Sequence, residues 1–153
     1  MALEIRRDDL TDPPLIALVR EHYAEMHRVS PPGSCHVLDL DGLRRPDVTF
    51  WSAWEGATLA GCGALKELDP RHAEIKSMRT AATHLRRGVG AQVLEHLLGV
   101  ARQRGYRRLS LETGSQPHFD PARRLYERYG FVVCGPFEGY VEDPASIFMT
   151  REL

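Results

Sequence analysis

The sequence predicts a mixed α/β fold, in which a mostly antiparallel central sheet is flanked by helices. Apolar residues recur at helical spacing in several segments, and the apolar runs between them, bounded by Gly, Pro or Asp, are typical of strands. Two central runs are joined by a short glycine-containing turn, as in an antiparallel hairpin. A long helix then separates two further strands, which indicates one parallel crossover. The length of 153 residues predicts one domain over 1–153.

The N-terminal part predicts one strand and two helices. The strand is Leu3 to Arg6, and the first helix begins after Thr11 and Asp12, where a capping side chain precedes two prolines. This helix is expected to run to about Met26, and Asp39 to Arg44 form a short second helix. The apolar stripe of the first helix predicts these core residues: Leu15, Leu18, Val19 and Tyr23.

Three antiparallel strands are predicted next. Val48 to Glu55 and Thr58 to Leu68 are apolar runs separated by the turn Glu55 to Ala57. A third strand, Ala73 to Arg79, follows the turn at Asp69 and Pro70. These strands form the centre of the expected sheet.

The C-terminal half alternates helices and strands. A helix begins near Gly88 and ends at Gly105, with a broad apolar stripe that is expected to face the sheet: Val89, Val93, Leu94, Leu97, Leu98 and Ala101. The elements that follow are a strand, a helix and two closing strands: Arg108 to Glu112, Pro121 to Tyr129, Phe131 to Cys134 and Ile147 to Thr150. One side of the last helix carries Ala122, Leu125, Tyr126 and Tyr129.

Composition excludes several kinds of partner. The formal net charge is −1, so no global field attracts nucleic acid or anionic lipid. No apolar run reaches the length of a membrane span, and the N-terminus is charged rather than signal-like. One local basic cluster is interpreted as a solvated helix end: Arg102, Arg104, Arg107 and Arg108.

Cysteine usage indicates a reducing setting. Cys35, Cys62 and Cys134 are dispersed and odd in number, which predicts neither a disulfide framework nor a metal site. The expected location is therefore the cytoplasm. Cys35 lies beside His36 and is the one cysteine with an adjacent base, so a covalent enzyme intermediate on this thiol is kept as a weaker possibility.

The most informative segment is a glycine-rich turn that opens the long helix. The chain from Glu74 leads into Leu85 to Ala91, where glycines let the backbone approach a ligand and the first helical turn presents unpaired N–H groups to an anion. A dinucleotide fingerprint is excluded because Val93 replaces its third glycine, and the Gly-Lys-Ser/Thr of a P-loop is missing. A phosphate-bearing cofactor of another type is expected.

Two signatures in order resemble those of the GNAT superfamily of N-acetyltransferases. The first is the pyrophosphate loop, Arg86 to Ala91, and the resemblance extends from about Val48 to the C-terminus. It implies a GNAT-like acyl-CoA N-acyltransferase fold, with acetyl-CoA as co-substrate and no metal. The second signature consists of Ala122, Leu125, Tyr126, Gly130 and Phe131.

The resemblance also implies the residues that contact the cofactor: Met78, Thr80, Leu85, Arg86, Arg87, Gly88, Val89, Gly90, Ala91 and Tyr126. Two of its usual side chains are replaced here. Leu85 stands where relatives have Gln or Arg, but backbone N–H groups hold the pyrophosphate, with Arg86 or Arg87 supplying charge. Phe119 stands where many relatives have Asn, so one expected cofactor hydrogen bond lacks its side chain.

Acetyl transfer to an amine requires a base, a polariser for the thioester carbonyl and an acid for the departing thiolate. The resemblance assigns these roles to Glu74, to the Met78 N–H and to Tyr126, respectively. Each has a structural alternative: Glu74 could be a cross-strand carboxylate near Lys76, and Tyr126 a core aromatic. His84 ranks below Glu74 as a base, because a lone loop histidine is usually exposed.

Two functions from different classes are therefore expected. The preferred one is acetyl transfer from acetyl-CoA to the amine of a small molecule or amino acid, by direct attack in a ternary complex. The alternative is a non-catalytic module that binds or senses acyl-CoA. Resemblance also implies a possible homodimer through the closing strands. The resemblance also implies which residues surround the acetyl acceptor, and the candidates are His22, Tyr23, Cys35, His36, Trp51, Glu67, Glu112 and Tyr140.

Overall fold

A computed structural model describes residues 1–153, in which four α-helices pack on seven β-strands. The helices are α1 Pro13–Val29, α2 Leu40–Leu43, α3 Val89–Gln103 and α4 Asp120–Arg128. The strands are β1 Glu4–Arg7, β2 Val48–Glu55, β3 Thr58–Asp69, β4 His72–Thr80, β5 Arg108–Gly114, β6 Val132–Cys134 and β7 Ser146–Glu152. No helix is both long enough and apolar enough to cross a bilayer.

All seven strands form one sheet in the order β1-β2-β3-β4-β5-β7-β6. Every neighbouring pair is antiparallel except β4 and β5, which run parallel because α3 carries the chain back between them. The predicted fold class, with its single crossover, is confirmed.

The face of the sheet under α3 holds the larger of two cores. All six stripe residues predicted for this helix are buried, and burying each large side chain contributes roughly 1.5–3 kcal/mol. Glycines in β3 let the helix sit close to the strand. A Cβ at Gly61 would lie 2.8 Å from Val89 Cγ1, and one at Gly63 would lie 2.8 Å from Val93 Cγ1. The start of α3 is therefore fixed on the centre of the sheet.

The opposite face is covered by α1 and α2, and here one expectation is wrong. Leu15, Leu18 and Val19 are buried as predicted, but Tyr23 is 37% exposed. The helix continues to Val29, and its inner stripe passes through positions 22 and 26, so Tyr23 falls at the edge of the stripe. Asp12 is the N-cap residue, yet its side chain makes no capping hydrogen bond, contrary to expectation.

Candidate active site

The candidate site lies where β4 and β5 separate. Only three residue pairs join these strands, and the last is Glu74 with Ser110. Beyond this pair, β4 continues to Thr80 and β5 to Gly114, but the two strands no longer pair with each other. A cavity of about 680 Å³ lies in this gap, lined by Ile75–Thr80 on one side and Leu111–Gly114 on the other. Two strands with free edges can hydrogen-bond an extended ligand placed between them.

A β-bulge reshapes β4 inside this gap. Cys62 pairs with Arg79 and Ala64 pairs with Lys76, so two residues of β4 oppose the single residue Gly63. Ser77 at the bulge has φ +54°, and its carbonyl accepts a 3.3 Å hydrogen bond from the Cys62 thiol. The bulge turns the strand at the predicted cofactor contact Met78, which lies in the cavity wall together with Thr80.

The predicted phosphate loop lies at the end of the cavity next to α3. Arg86 and Gly88 both have left-handed backbone, with φ +61° and +81°, and Gly88 is the N-cap of the 15-residue helix. No side chain caps this end, so its first N–H groups are available to an anion. Leu85 and Gly90 line the cavity. The chain therefore fits a coenzyme whose diphosphate sits on these amides.

The charged side chains of the loop differ in their surroundings. Arg86 is exposed, whereas the Arg87 guanidinium lies 3.5 Å from the Glu55 carboxylate. His84 is buried, 3.0 Å from Glu55 and 2.7 Å from the Thr83 hydroxyl, so the expectation of an exposed histidine is wrong. The hairpin turn after β2 brings Glu55 here, which the local sequence does not reveal. His84 therefore holds the loop against that hairpin.

Tyr126 lies in the wall of the cavity. It is 7% exposed on α4, and its ring packs edge-on against Phe131. Burial raises the pKa of its phenol, and no opposing charge offsets this. The hydroxyl is therefore protonated throughout the physiological range and can donate to a ligand at the cavity. Phe119, which stands where many relatives have Asn, also lines the cavity and contacts Gly114.

Glu74 is buried on the sheet face opposite α3 and is held by two groups. The Tyr140 hydroxyl donates to its Oε2 over 2.6 Å, and the Lys76 Nζ lies 3.2 Å from the same oxygen. Lys76 also donates to Tyr140 Oη over 2.7 Å. The structure thus joins the predicted base Glu74 to Lys76 and Tyr140. These two side chains link Glu74 to the loops that contain His36 and Tyr140.

A second carboxylate lies in the cavity itself. Glu112 projects from β5 on the same face as Glu74, and burial raises its pKa while Ser146, His36 and Lys76 act in the opposite direction. Glu112 forms no ion pair, so it is a carboxylate facing the cavity with no counterion bound to it.

Four of the eight acceptor candidates line the cavity: His22, Cys35, His36 and Glu112. Trp51 does not, because strand alternation points it into the core under α3, with the Arg104 guanidinium 5.5 Å from its ring. Glu67 accepts a 2.6 Å hydrogen bond from Tyr106, away from the cavity. Tyr23 is on the outer edge of α1, and Tyr140 lies behind Lys76.

Cys35 does not have the geometry of an activated thiol. Its Sγ lies 3.6 Å from His27 Nδ1, but this nitrogen is also 3.0 Å from the carbonyl oxygen of Tyr23. A carbonyl only accepts, so Nδ1 carries a proton and is not free to take one from sulfur. The adjacent His36 instead packs edge-on against Tyr140. No group of three or more His, Cys, Asp or Glu side chains is arranged to hold a metal ion.

One charged group at the cavity was not predicted. Arg79 at the end of β4 is paired with Glu25 and, over 2.7 Å, with Glu21, both on α1. The i,i+4 spacing of these carboxylates on one face of a helix was the available signal. This network fixes α1 against β4 and forms the floor of the cavity beside His22.

Fold and cavity together define an acyl-CoA-binding transferase, and comparisons with known proteins agree. The sequence model of the Acetyltransferase (GNAT) family matches residues 15–131. A Bacillus subtilis (strain 168) relative, uncharacterized N-acetyltransferase YsnE, is 60% identical over 151 residues, which are 99% of this chain and 100% of the relative. The chain belongs to the GNAT family and is an acetyl-CoA-dependent N-acetyltransferase.

Solved structures share the fold. An acyl-CoA N-acyltransferase from Klebsiella pneumoniae is similar with a TM-score of 0.79 and 28% identity, covering 99% of this chain and 97% of that chain. A GNAT family acetyltransferase from Elizabethkingia anophelis, solved with acetyl-CoA bound, gives a TM-score of 0.72 at 21% identity, covering 99% and 98%. The predicted family and fold are thus confirmed.

Proposed function

We propose that this enzyme acetylates the amine of a small molecule by direct attack in a ternary complex. The observation that carries the proposal is the cavity in the gap between β4 and β5. It is lined by the start of α3 at one end, by Tyr126 in the middle and by His36 and Glu112 at the other end. Donor and acceptor can therefore occupy one cavity at the same time, which makes a covalent enzyme intermediate unnecessary.

At the donor end, the amides of 87–91 bind the diphosphate, and Arg86 adds positive charge. Acetyl-CoA supplies an activated acyl carbon. The left-handed backbone at Gly88 and the uncapped start of α3 support this assignment. We expect Thr80, Leu85 and Gly90, which line the same cavity, to contact the coenzyme. Val89 and Ala91 contribute backbone rather than side-chain contacts.

At the reacting centre, we assign polarisation of the carbonyl to the Met78 N–H and protonation of the leaving sulfur to Tyr126. Both residues line the cavity. Burial keeps the Tyr126 phenol protonated, so it can donate a hydrogen bond to the sulfur as negative charge develops there.

For the base we retain Glu74. Its carboxylate already accepts a hydrogen bond from Tyr140 and forms an ion pair with Lys76. Neither Glu74 nor Tyr140 lines the cavity, so the proton of the amine requires a bridging water molecule to reach the Tyr140 hydroxyl, which donates to Glu74. Glu74→Gln tests this role: we expect lower kcat with unchanged affinity for acetyl-CoA.

The proposal as a whole is tested by following release of free thiol from acetyl-CoA with a panel of amines, together with calorimetry of coenzyme A binding. Turnover that depends on the amine supports it. Tight binding of acetyl-CoA without turnover of any amine would instead favour the alternative, a module that senses acyl-CoA. The naming of relatives as N-acetyltransferases argues against that alternative.

We further propose a homodimer that acts in the cytoplasm. Val132 and Val133 are 61% and 69% exposed on β6, which is an edge strand and offers an unpaired backbone to a second copy. The cysteines are free thiols, which suits a reducing compartment. Light scattering of the wild type and of Val133→Lys tests the dimer: the variant should be monomeric.

A further inference from the structure

The acceptor end of the cavity has two permanent cations, and the charge of the first is balanced. Lys76 Nζ donates to the His36 carbonyl over 3.2 Å and to Tyr140 Oη over 2.7 Å, and it forms an ion pair with Glu74 over 3.2 Å. Two of the three ammonium protons are thus hydrogen-bonded. Lys76 therefore brings no unbalanced positive charge to a ligand.

The second cation, Arg79, is balanced in the same way. Its two terminal nitrogens bond to Glu21 and Glu25, so two carboxylates face one guanidinium. Its Nε is buried without a partner. An incoming carboxylate would be a third anion around Arg79 and would be repelled by Glu21 and Glu25.

Glu112 is in the opposite condition. It lines the cavity on β5, and no cation binds its carboxylate, since Lys76 is directed to Glu74 and Tyr140. A largely buried carboxylate is costly unless it is paired. A cationic ligand at this end would supply the missing counterion.

We propose that the acceptor is a cationic amine without a carboxylate group, and that Glu112 binds its ammonium. This inference rests on the proposed N-acetyltransferase function and narrows it from amines in general. A free amino acid would bring its carboxylate to a cavity end where the charges of Lys76 and Arg79 are already balanced by Glu74, Glu21 and Glu25. Glu112 adds a further negative charge there. Burying a carboxylate without a counterion is costly.

Histidines are the other ionisable groups at this end: His22, His36 and His118. Burial beside Arg79 lowers the pKa of His22 to about 4, so it is neutral near pH 7.

The test compares matched pairs that differ only in one carboxylate: tyramine with tyrosine, tryptamine with tryptophan, agmatine with arginine and cadaverine with lysine. We expect kcat/KM for the accepted amine to exceed that of its amino acid by about 100-fold or more, the effect of leaving one charged group unpaired. A higher kcat/KM for the amino acids would overturn the inference while leaving N-acetyltransferase function intact. No turnover in either series would refute the proposed function itself.

Glu112→Gln tests the residue. We expect KM for the amine to rise about tenfold or more while the Kd of acetyl-CoA is unchanged, because a neutral amide loses the charge-assisted bond. Glu112→Asp should restore part of the affinity. Glu127→Gln, an exposed carboxylate on α4 outside the cavity, is the matched control and should behave as wild type. An unchanged KM in Glu112→Gln would overturn the assignment.

Discussion

The Tyr140 hydroxyl donates a 2.6 Å hydrogen bond to the Glu74 carboxylate and thereby joins the loop before β7 to the middle of the sheet. Burial and the neighbouring carboxylates Glu74 and Glu112 raise the pKa of Tyr140, so this phenol remains a donor. The same hydroxyl accepts from Lys76, whose other bond reaches the His36 carbonyl. Two loops that wall the acceptor end are thus fastened to β4 by one polar cluster.

Removal of the Tyr140 hydroxyl should loosen this wall. We expect Tyr140→Phe to lower the free energy of unfolding by about 1–2 kcal/mol, because Glu74 and Lys76 each lose a buried partner. We also expect kcat to fall while the Kd of acetyl-CoA is unaffected, since the donor end is remote from this cluster. Urea denaturation and steady-state kinetics measure the two effects. Tyr23→Phe, at a 37% exposed position, is the control, and equal stability of both variants would refute the prediction.

Tyr126→Phe should separate chemistry from binding. Loss of a general acid typically lowers a rate by about 10²-fold or more, whereas the ring that packs on Phe131 is retained. We therefore expect kcat to fall by that order and the Kd of acetyl-CoA to change by less than about threefold. Thiol release and calorimetry give the two numbers.

The control for Tyr126 is Tyr129→Phe, three residues further along the chain. The Tyr129 hydroxyl bonds to Glu95 on α3, at an exposed position. Its removal should leave kcat unchanged. If Tyr126→Phe kept the wild-type rate as well, Tyr126 would have no part in proton transfer.

Two glycines of one helix should respond in opposite ways to alanine. Gly88, the N-cap of α3, has φ +81°, so a Cβ is strained there by about 1–2 kcal/mol although no atom lies within 4 Å. Gly99 is inside the helix with nothing within 4 Å of its Cβ position, so alanine should stabilise by about 0.5–1 kcal/mol. We expect Gly88→Ala to lower Tm and weaken coenzyme A binding, and Gly99→Ala to raise Tm with binding unchanged. Equal binding by both variants would argue against a phosphate site at 87–91.

The sequence predicted most of the fold because its signals are local. The stripe from Val89 to Ala101 and the hairpin around Gly56 depend on residues close in the chain, and both are found in the structure. The partners of His84 and Glu74 depend on residues far away in sequence, Glu55 and Tyr140, which meet only after the sheet assembles. Glu112 lines the cavity and Glu74 does not, because Glu74 belongs to the last residue pair before β5 separates from β4. No periodicity in the sequence predicts where the two strands separate.

The fall of kcat/KM at acid pH, the acid limb of the pH profile, should reflect protonation of Glu112. Its pKa is raised from 4.5 by burial, against opposing effects of Ser146, His36 and Lys76, while Glu74 acts in the same direction as burial. The carboxylate must be ionised to bind an ammonium, so kcat/KM for the amine should fall with decreasing pH at an apparent pKa above that of an ordinary glutamate. In Glu112→Gln this limb should be reduced. An identical limb in both enzymes would assign it to another group.

The stability of the protein should fall in mild acid because of His22. Burial beside Arg79 lowers its pKa from 6.5 to about 4, although Glu25 and Glu21 act in the opposite direction. Above pH 6.5 both folded and unfolded states carry a neutral ring, so the group has no effect. As pH falls from 6.5 toward 4 only the unfolded state takes up the proton, so stability is lost, by up to about 3 kcal/mol.

His22→Gln isolates this contribution. The burial of His72 and His96 lowers their pKa values too, so the wild type has a steeper slope than His22 alone would give. The difference between wild type and variant removes those shared effects. Between about pH 6.5 and 5, above the titration of carboxylates such as Glu25, urea denaturation should show that the variant loses less stability than the wild type. Parallel curves for the two proteins would mean that His22 accepts a proton in the folded state as readily as in the unfolded chain.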